Sequence, residues 1–106
     1  MKRQISITSN SPALHSYLNA DLPNGVKIIS EPPIERKGIG LDIVINIDII
    51  VDLTKITALA CVVWLCNRSR GLKGEHKVNI NDKQIPIDHP EAVELITKQV
   101  EHKSQE

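Results

Sequence analysis

The sequence predicts a small α+β protein with one domain over residues 1–106. Three observations support this: isoleucines alternate with polar residues near the N-terminus, a long apolar segment covers residues 41–65, and a second alternating pattern follows it. A chain of 106 residues has room for one hydrophobic core. The predicted order is strand, helix, strand, one long apolar helix, a β-hairpin and a C-terminal helix.

The first three elements are marked by short local signals. Residues 4–8 alternate as a half-buried strand does, and residues 9–12 resemble a helix start, with capping side chains followed by Pro12. The Pro-Asn-Gly of residues 23–25 predicts the end of that helix and a turn. Residues 26–30 predict a second short strand, which two prolines end. Residues 34–40 are predicted to be a flexible connection.

The apolar segment predicts a helix over residues 43–68, because it contains no glycine or proline. Asp48, Asp52 and Lys55 fall at i, i+4 and i+7, which indicates one polar stripe on that helix. Its first part also alternates like a strand, so residues 41–48 remain open between strand and helix. Cations and Gly71 indicate the C-terminal end of the helix.

The last third predicts a hairpin and a helix. Residues 77–88 alternate on both sides of an Asn-Asp-Lys turn at 81–83, and Pro86 indicates that the second strand lies at a sheet edge or is bulged. Pro90 and the acidic residue after it open the C-terminal helix. Residues 103–106 are predicted to be a frayed tail.

Composition argues against several classes of function. The net charge is zero, and Tyr17 and Trp64 are the only aromatic residues apart from histidine, so stacking platforms for nucleic-acid bases are not expected. The best basic cluster lacks accompanying aromatic residues, and we expect no nucleic-acid partner. Its members are Arg68, Arg70, Lys73 and Lys77. Cys61 and Cys66 are expected to be buried free thiols in a cytoplasmic protein.

No catalytic, metal or cofactor site is expected. The four histidines lie in separate elements, and none is within a metal-ligand spacing of another or of a cysteine. Asp48 and Asp52 could form a carboxylate pair, but Lys55 lies close enough to neutralise them. We therefore interpret these three residues as a stripe that faces solvent or a partner.

The length of residues 41–65 raises the question of a membrane span. Asp48, Asp52 and Lys55 interrupt the segment, and each charge at mid-bilayer would cost about 2.5–3.5 kcal/mol. The basic N-terminus is not followed by the apolar run of a secretory signal. We expect a soluble protein.

Three local sequences carry a family resemblance: Gly-Ile-Gly-Leu-Asp-Ile-Val at 38–44, Ala-Leu-Ala-Cys-Val-Val-Trp-Leu-Cys-Asn-Arg at 58–68, and Val-Asn-Ile-Asn-Asp-Lys-Gln-Ile at 78–85. With the order of elements, they resemble the small bacterial family called effector-associated constant component, type 1. The resemblance covers residues 5–100. It implies a non-catalytic adaptor in bacterial defence or conflict systems, encoded beside protease-like effectors and regulatory NTPases.

We therefore expect an adaptor that joins an effector protein to a regulatory component and self-associates through the apolar helix. A small inhibitor or immunity protein that blocks a toxin enzyme is one alternative. An oligomerising, membrane-active effector that inserts residues 43–65 is another. The expected interaction residues are Asp48, Asp52, Lys55, Leu59, Trp64 and Arg68.

Overall fold

The computed structural model describes residues 1–32 and 44–102. Within them lie five strands and three helices. They are β1 (Lys2–Ser9), α1 (Leu14–Asn19), β2 (Val26–Ile28), β3 (Ile45–Asp52), α2 (Ala58–Arg70), β4 (His76–Ile80), β5 (Lys83–Pro86) and α3 (Ala92–Glu101). The α+β class is confirmed. The flexible connection at 34–40 and the frayed tail at 103–106 lie outside the described residues.

The strands form one antiparallel sheet in the order β2-β3-β1-β4-β5. The central strand β1 pairs along its whole length with β3, from Lys2 opposite Asp52 to Ser9 opposite Ile45. Strand β5 lies at one edge, as Pro86 predicts. Buried apolar residues alternate with less buried ones along the strands. The buried ones form one core with the apolar residues of all three helices. One face of the sheet is therefore covered by helices.

The predicted long helix over residues 43–68 is wrong. From Ile45 to Asp52 the chain is a strand, a short turn follows, and the helix begins only at Ala58. Residues 41–48 could be read as strand or helix, and the alternation of apolar and polar residues correctly indicates a strand from Ile45 onward. The alternate residues Ile45, Ile47, Ile49 and Val51 are all buried beneath the helices. Residues 41–43 lie outside the described part. The predicted order of elements therefore lacks one strand.

The start of α2 has a sequence signal that the periodicity obscures. The Thr57 hydroxyl accepts a hydrogen bond from the Ala60 N–H at 3.1 Å, as an N-cap side chain does. A β-branched residue inside an apolar run is easily taken for part of a continuous helix. Because the strand and the helix are separate elements, Asp48, Asp52 and Lys55 do not form a helical stripe.

The hairpin is confirmed, and its turn is tight. Asn81 and Asp82 have φ angles of +50° and +63° between β4 and β5, the left-handed pair that a two-residue type I′ turn requires. The Asn81 amide donates to the Gln99 carbonyl oxygen at 3.0 Å. The turn is thereby attached to α3.

Candidate interaction surface

Helix α2 presents an apolar surface to solvent. Its sheet-facing residues are all buried: Ala58, Cys61, Val62, Leu65, Cys66 and Ser69. On its outer side Leu59 is 55% exposed and Val63 38% exposed, and Ala60 is exposed between them. Leu59 and Val63 are one helical turn apart and therefore lie on the same side. We call Leu59, Ala60 and Val63 the α2 apolar surface.

Exposed polar and cationic residues precede and follow this surface in the sequence. Lys55 is exposed in the turn that precedes α2, while Asn67 and Arg70 are exposed in its last turns. Within the described ranges Lys55 forms no ion pair. An apolar centre with a polar rim is the usual arrangement of a protein-binding patch.

Trp64 and Arg68, two of the predicted interaction residues, make contacts within the molecule. The Trp64 Nε1–H donates to the Asp21 carbonyl oxygen at 2.9 Å, and Arg68 Nη2 lies 2.8 Å from the Asp21 carboxylate. The Arg68 guanidinium also lies 5.2 Å from the centroid of the Tyr17 ring. These contacts hold the segment after α1 against α2. Trp64 is half-buried and adds little to the exposed surface.

Asp52 stabilises the turn that leads into α2. Its carboxylate accepts hydrogen bonds from the Thr54 hydroxyl at 2.7 Å and the Thr54 N–H at 3.0 Å, and the N-terminal ammonium lies 3.8 Å away. The Thr54 hydroxyl, and next the Thr54 N–H, hold the pKa of Asp52 below its ordinary value. Asp52 is therefore a local structural residue beside Lys55.

Asp48 lies on the opposite side of the sheet from α2. Its carboxylate accepts a hydrogen bond from the Ser6 hydroxyl on the neighbouring strand at 2.6 Å. It belongs to the alternate residues of the strands that face away from the helices, which we call the open sheet face. They include Gln4, Ser6, Thr8, Asn46, Asp48, Ile50, Lys77, Asn79 and Gln84.

The open sheet face is polar and internally hydrogen-bonded. The Asn79 amide donates to the Thr8 hydroxyl at 2.6 Å, and that hydroxyl donates to the Asn46 side-chain oxygen at 3.2 Å. These bonds run across three adjacent strands. An antiparallel sheet commonly leaves one face to water.

The six predicted interaction residues therefore do not form one site. Leu59 lies on the α2 apolar surface and Lys55 is exposed in the turn before α2, whereas Trp64, Arg68 and Asp52 make contacts within the molecule and Asp48 is on the other face of the sheet. Val63 and Ala60 were missed. Their signal is the spacing of exposed apolar residues on α2, which can be read only once the helix is known to begin after Thr57.

The predicted basic cluster is also divided. Arg68 pairs with Asp21, and Lys77 lies on the open sheet face. Arg70 and Lys73 remain together near the C-terminal end of α2, where both line a cleft. The cluster is not one continuous patch.

Ser9 and His76 form a buried pair next to that cleft. The distance between Ser9 Oγ and His76 Nδ1 is 2.7 Å, and His76 Nε2 lies 3.0 Å from the Leu72 carbonyl oxygen. A carbonyl oxygen only accepts, so Nε2 carries a proton and donates to Leu72, while Nδ1 and the Ser9 hydroxyl share a second hydrogen bond. The Ser9 hydroxyl also accepts from the Ser11 N–H, and it is 2% exposed. Fully bonded and buried, the pair joins β1 to β4.

Both cysteines are free and buried, as predicted. Burial, followed by the nearby Cys66, raises the pKa of the Cys61 thiol to about 11. Burial also raises the pKa of Cys66. Neutral, enclosed thiols act as small apolar groups of the core.

The described residues place no three metal-ligating side chains together. None of the helices in those ranges has the length and apolar character that crossing a bilayer requires.

The fold and the surface define a small α+β protein with an open antiparallel sheet and a partly exposed apolar helix. Comparison with family models, with curated proteins and with solved structures finds no match for this chain.

Proposed function

We propose that this chain is a non-catalytic adaptor that binds an effector protein through the α2 apolar surface. The main support for this proposal is the exposure of Leu59 and Val63 on one side of α2. Aliphatic side chains in this position expose apolar area to water, which is unfavourable unless a partner covers them. Lys55, exposed in the turn just before α2, favours a partner that carries acidic residues beside its apolar contact.

The adaptor role needs a second contact, and this proposal assigns it to the open sheet face. The open sheet face lies on the other side of the sheet from α2 and carries hydroxyl and amide groups together with charged side chains such as Asp48 and Lys77. Two proteins bound to these faces would not compete for the same residues. The second partner in this proposal is a regulatory component such as an NTPase.

The family resemblance of residues 5–100 suggests the biological system in which this adaptor would act. It is a bacterial defence or conflict system in the cytoplasm, with an effector that is protease-like or of another class. Self-association through the α2 apolar surface is part of the proposal. The long helix predicted over residues 43–68 no longer supports self-association, because α2 has only 13 residues. Leu59 and Val63 are the remaining support.

The membrane-active alternative depended on one apolar helix over residues 43–65. Strand β3 and the turn after it replace the first half of that helix. We do not propose insertion of this segment.

The test is co-expression with the products of the neighbouring genes, singly and together. The mass of each complex is measured by light scattering after size-exclusion chromatography. The proposal predicts a ternary complex that contains both an effector and a regulatory protein. A binary complex that forms only with an enzyme, and abolishes its activity, would support the inhibitor alternative instead. If no neighbouring product binds, the adaptor proposal is wrong.

Self-association is tested on the purified chain alone. Sedimentation velocity over the micromolar range should show a species larger than the monomer, and Leu59→Glu should shift it towards the monomer. Lys98→Glu, an exposed substitution on α3, is the control and should leave the distribution unchanged. A monomer at every concentration would contradict self-association.

A further inference from the structure

A cleft of about 190 Å³ lies at the C-terminal end of α2. It is formed by the last turn of the helix, the loop into β4, and the start of the connection from β5 to α3. Its lining residues are Ser69, Arg70, Leu72, Lys73, Gly74, His76, Ile87 and Asp88. None of these belongs to the α2 apolar surface or the open sheet face.

Two cations of the cleft have no carboxylate partner in the described residues. Neither Arg70 nor Lys73 lies within 4.0 Å of an acidic oxygen there. Arg70 Nη2 donates to the Ile87 carbonyl oxygen at 3.1 Å, which fixes the side chain across the cleft. A guanidinium has five N–H donors, so this bond leaves most of them for a ligand.

The loop adds backbone donors. Within the described part of the chain, the N–H groups of Lys73 and Gly74 donate to no protein acceptor. The loop is held in place by Asn10, whose side chain accepts from the Glu75 N–H at 2.9 Å. Gly74 has φ +136°, and a Cβ there would lie 2.6 Å from Asn10 Oδ1. Consecutive free N–H groups in a fixed loop favour an anion.

The groups that oppose an anion are few. The Asn67, Arg68 and Ser69 carbonyl oxygens accept from the N–H groups after the helix, so they are partly neutralised. His76 brings no negative charge, and both of its ring nitrogens are already hydrogen-bonded, to Ser9 and to the Leu72 carbonyl oxygen. Asp88 is the one carboxylate among the lining residues, against the two cations Arg70 and Lys73. The buried Ser69 hydroxyl adds one polar group that lacks a hydrogen-bond partner.

We infer that this cleft binds a phosphate group. A guanidinium, an ammonium and two backbone N–H groups match the charge and the several oxygens of a phosphate monoester. The volume accommodates that group and only part of the molecule that carries it. The site contains none of Leu59, Ala60 and Val63, and Arg70 is the one lining residue that is also an exposed residue of α2.

The test is a titration of the full chain with inorganic phosphate, followed by NMR of the backbone amides. The inference predicts saturable shifts at Lys73 and Gly74. Lys73→Gln should weaken binding about fivefold, because one charge contact is lost. Asp88→Asn should tighten binding, because it removes the opposing charge. No side-chain hydrogen bond of Asp88 is present in the described residues, so this variant should fold normally.

Lys98→Gln is the matched control, because Lys98 is an exposed lysine on α3 that does not line the cleft. Shifts that do not saturate would overturn the inference, as would equal effects of Lys73→Gln and Lys98→Gln. Phosphoserine and adenosine 5′-monophosphate, titrated in the same way, distinguish a protein-borne phosphate from a nucleotide-borne one by their relative affinity.

Discussion

The indole N–H of Trp64 donates a hydrogen bond to the backbone carbonyl oxygen of Asp21 across 2.9 Å. One turn further along α2, Arg68 pairs with the carboxylate of the same residue. Asp21 is thus held twice by one helix, through its backbone and its side chain. The single tryptophan of the chain therefore stabilises the junction of α1 and α2.

Substitution of Trp64 should destabilise the fold, and the substitution that removes more of the side chain should cost more. Trp64→Phe should lower the free energy of unfolding by about 1 kcal/mol, because it removes the hydrogen bond to Asp21. Trp64→Ala should cost about 2 kcal/mol, because a half-buried ring is also lost. Urea unfolding followed by circular dichroism measures both. Leu59→Ala, at an exposed site on the same helix, should change stability by less than about 0.5 kcal/mol. Equal stability of all three variants would contradict this role.

The hairpin turn should be improved by glycine. Asp82 has φ +63°, and Asp82→Gly should stabilise the protein by roughly 0.5 kcal/mol, because relief of left-handed strain exceeds the added freedom of the unfolded chain. Lys83→Gly, one residue later in β5, should instead destabilise it. Thermal unfolding of both variants gives the comparison. Destabilisation by Asp82→Gly would show that the Asp82 side chain contributes more than its strain costs.

The cysteines should be unreactive in the native state. With the pKa of Cys61 raised to about 11, only about one thiol in a thousand is a thiolate at pH 8, and the group is buried as well. A disulfide reagent should label neither cysteine within minutes in buffer and both in denaturant. Asn67→Cys, which places a thiol on the exposed side of α2, is the positive control and should react at once. Rapid labelling of the native chain would contradict the described packing.

The turn before α2 should weaken in acid. The pKa of Asp52 is lowered, so the folded state favours the carboxylate, and this contribution is present at neutral pH. It should be lost as the pH falls below about 4, the range in which aspartate protonates. Asp52→Asn should therefore show a smaller loss of thermal stability between about pH 5 and pH 3 than the wild type does. Thr54→Val should fall between the two, and identical profiles would refute the effect.

Local signals predicted the ends of the fold well. The alternation around Ile5 and Ile7, the Asn81-Asp82 turn and the proline near the last helix each depend on neighbours within a few residues. The class α+β follows from them. Such signals are reliable because they depend only on residues within one short element and not on distant parts of the chain.

The middle of the chain could not be predicted in the same way. Strand β3 is stabilised by β1 and β2, and its partners lie up to about 50 residues away in sequence, as Lys2 does from Asp52. Asp48 and Asp52 had the spacing of a helical stripe by coincidence. Once Thr57 is recognised as a cap, the exposed positions of α2 follow, and with them Val63. The cleft beside Arg70 and Lys73 depends on a loop held by Asn10, a contact that the sequence does not indicate.

The central claim is that the α2 apolar surface binds the effector. The most direct measurement is the affinity of the co-purified effector for the wild type and for Leu59→Ser combined with Val63→Ser, by isothermal titration calorimetry. Loss of two apolar contacts at the centre of an interface should weaken binding at least about tenfold. Ile29→Ser, an exposed apolar site beside β2, is the control and should bind as the wild type does. Unchanged affinity of the double variant, with its fold intact, would contradict the account.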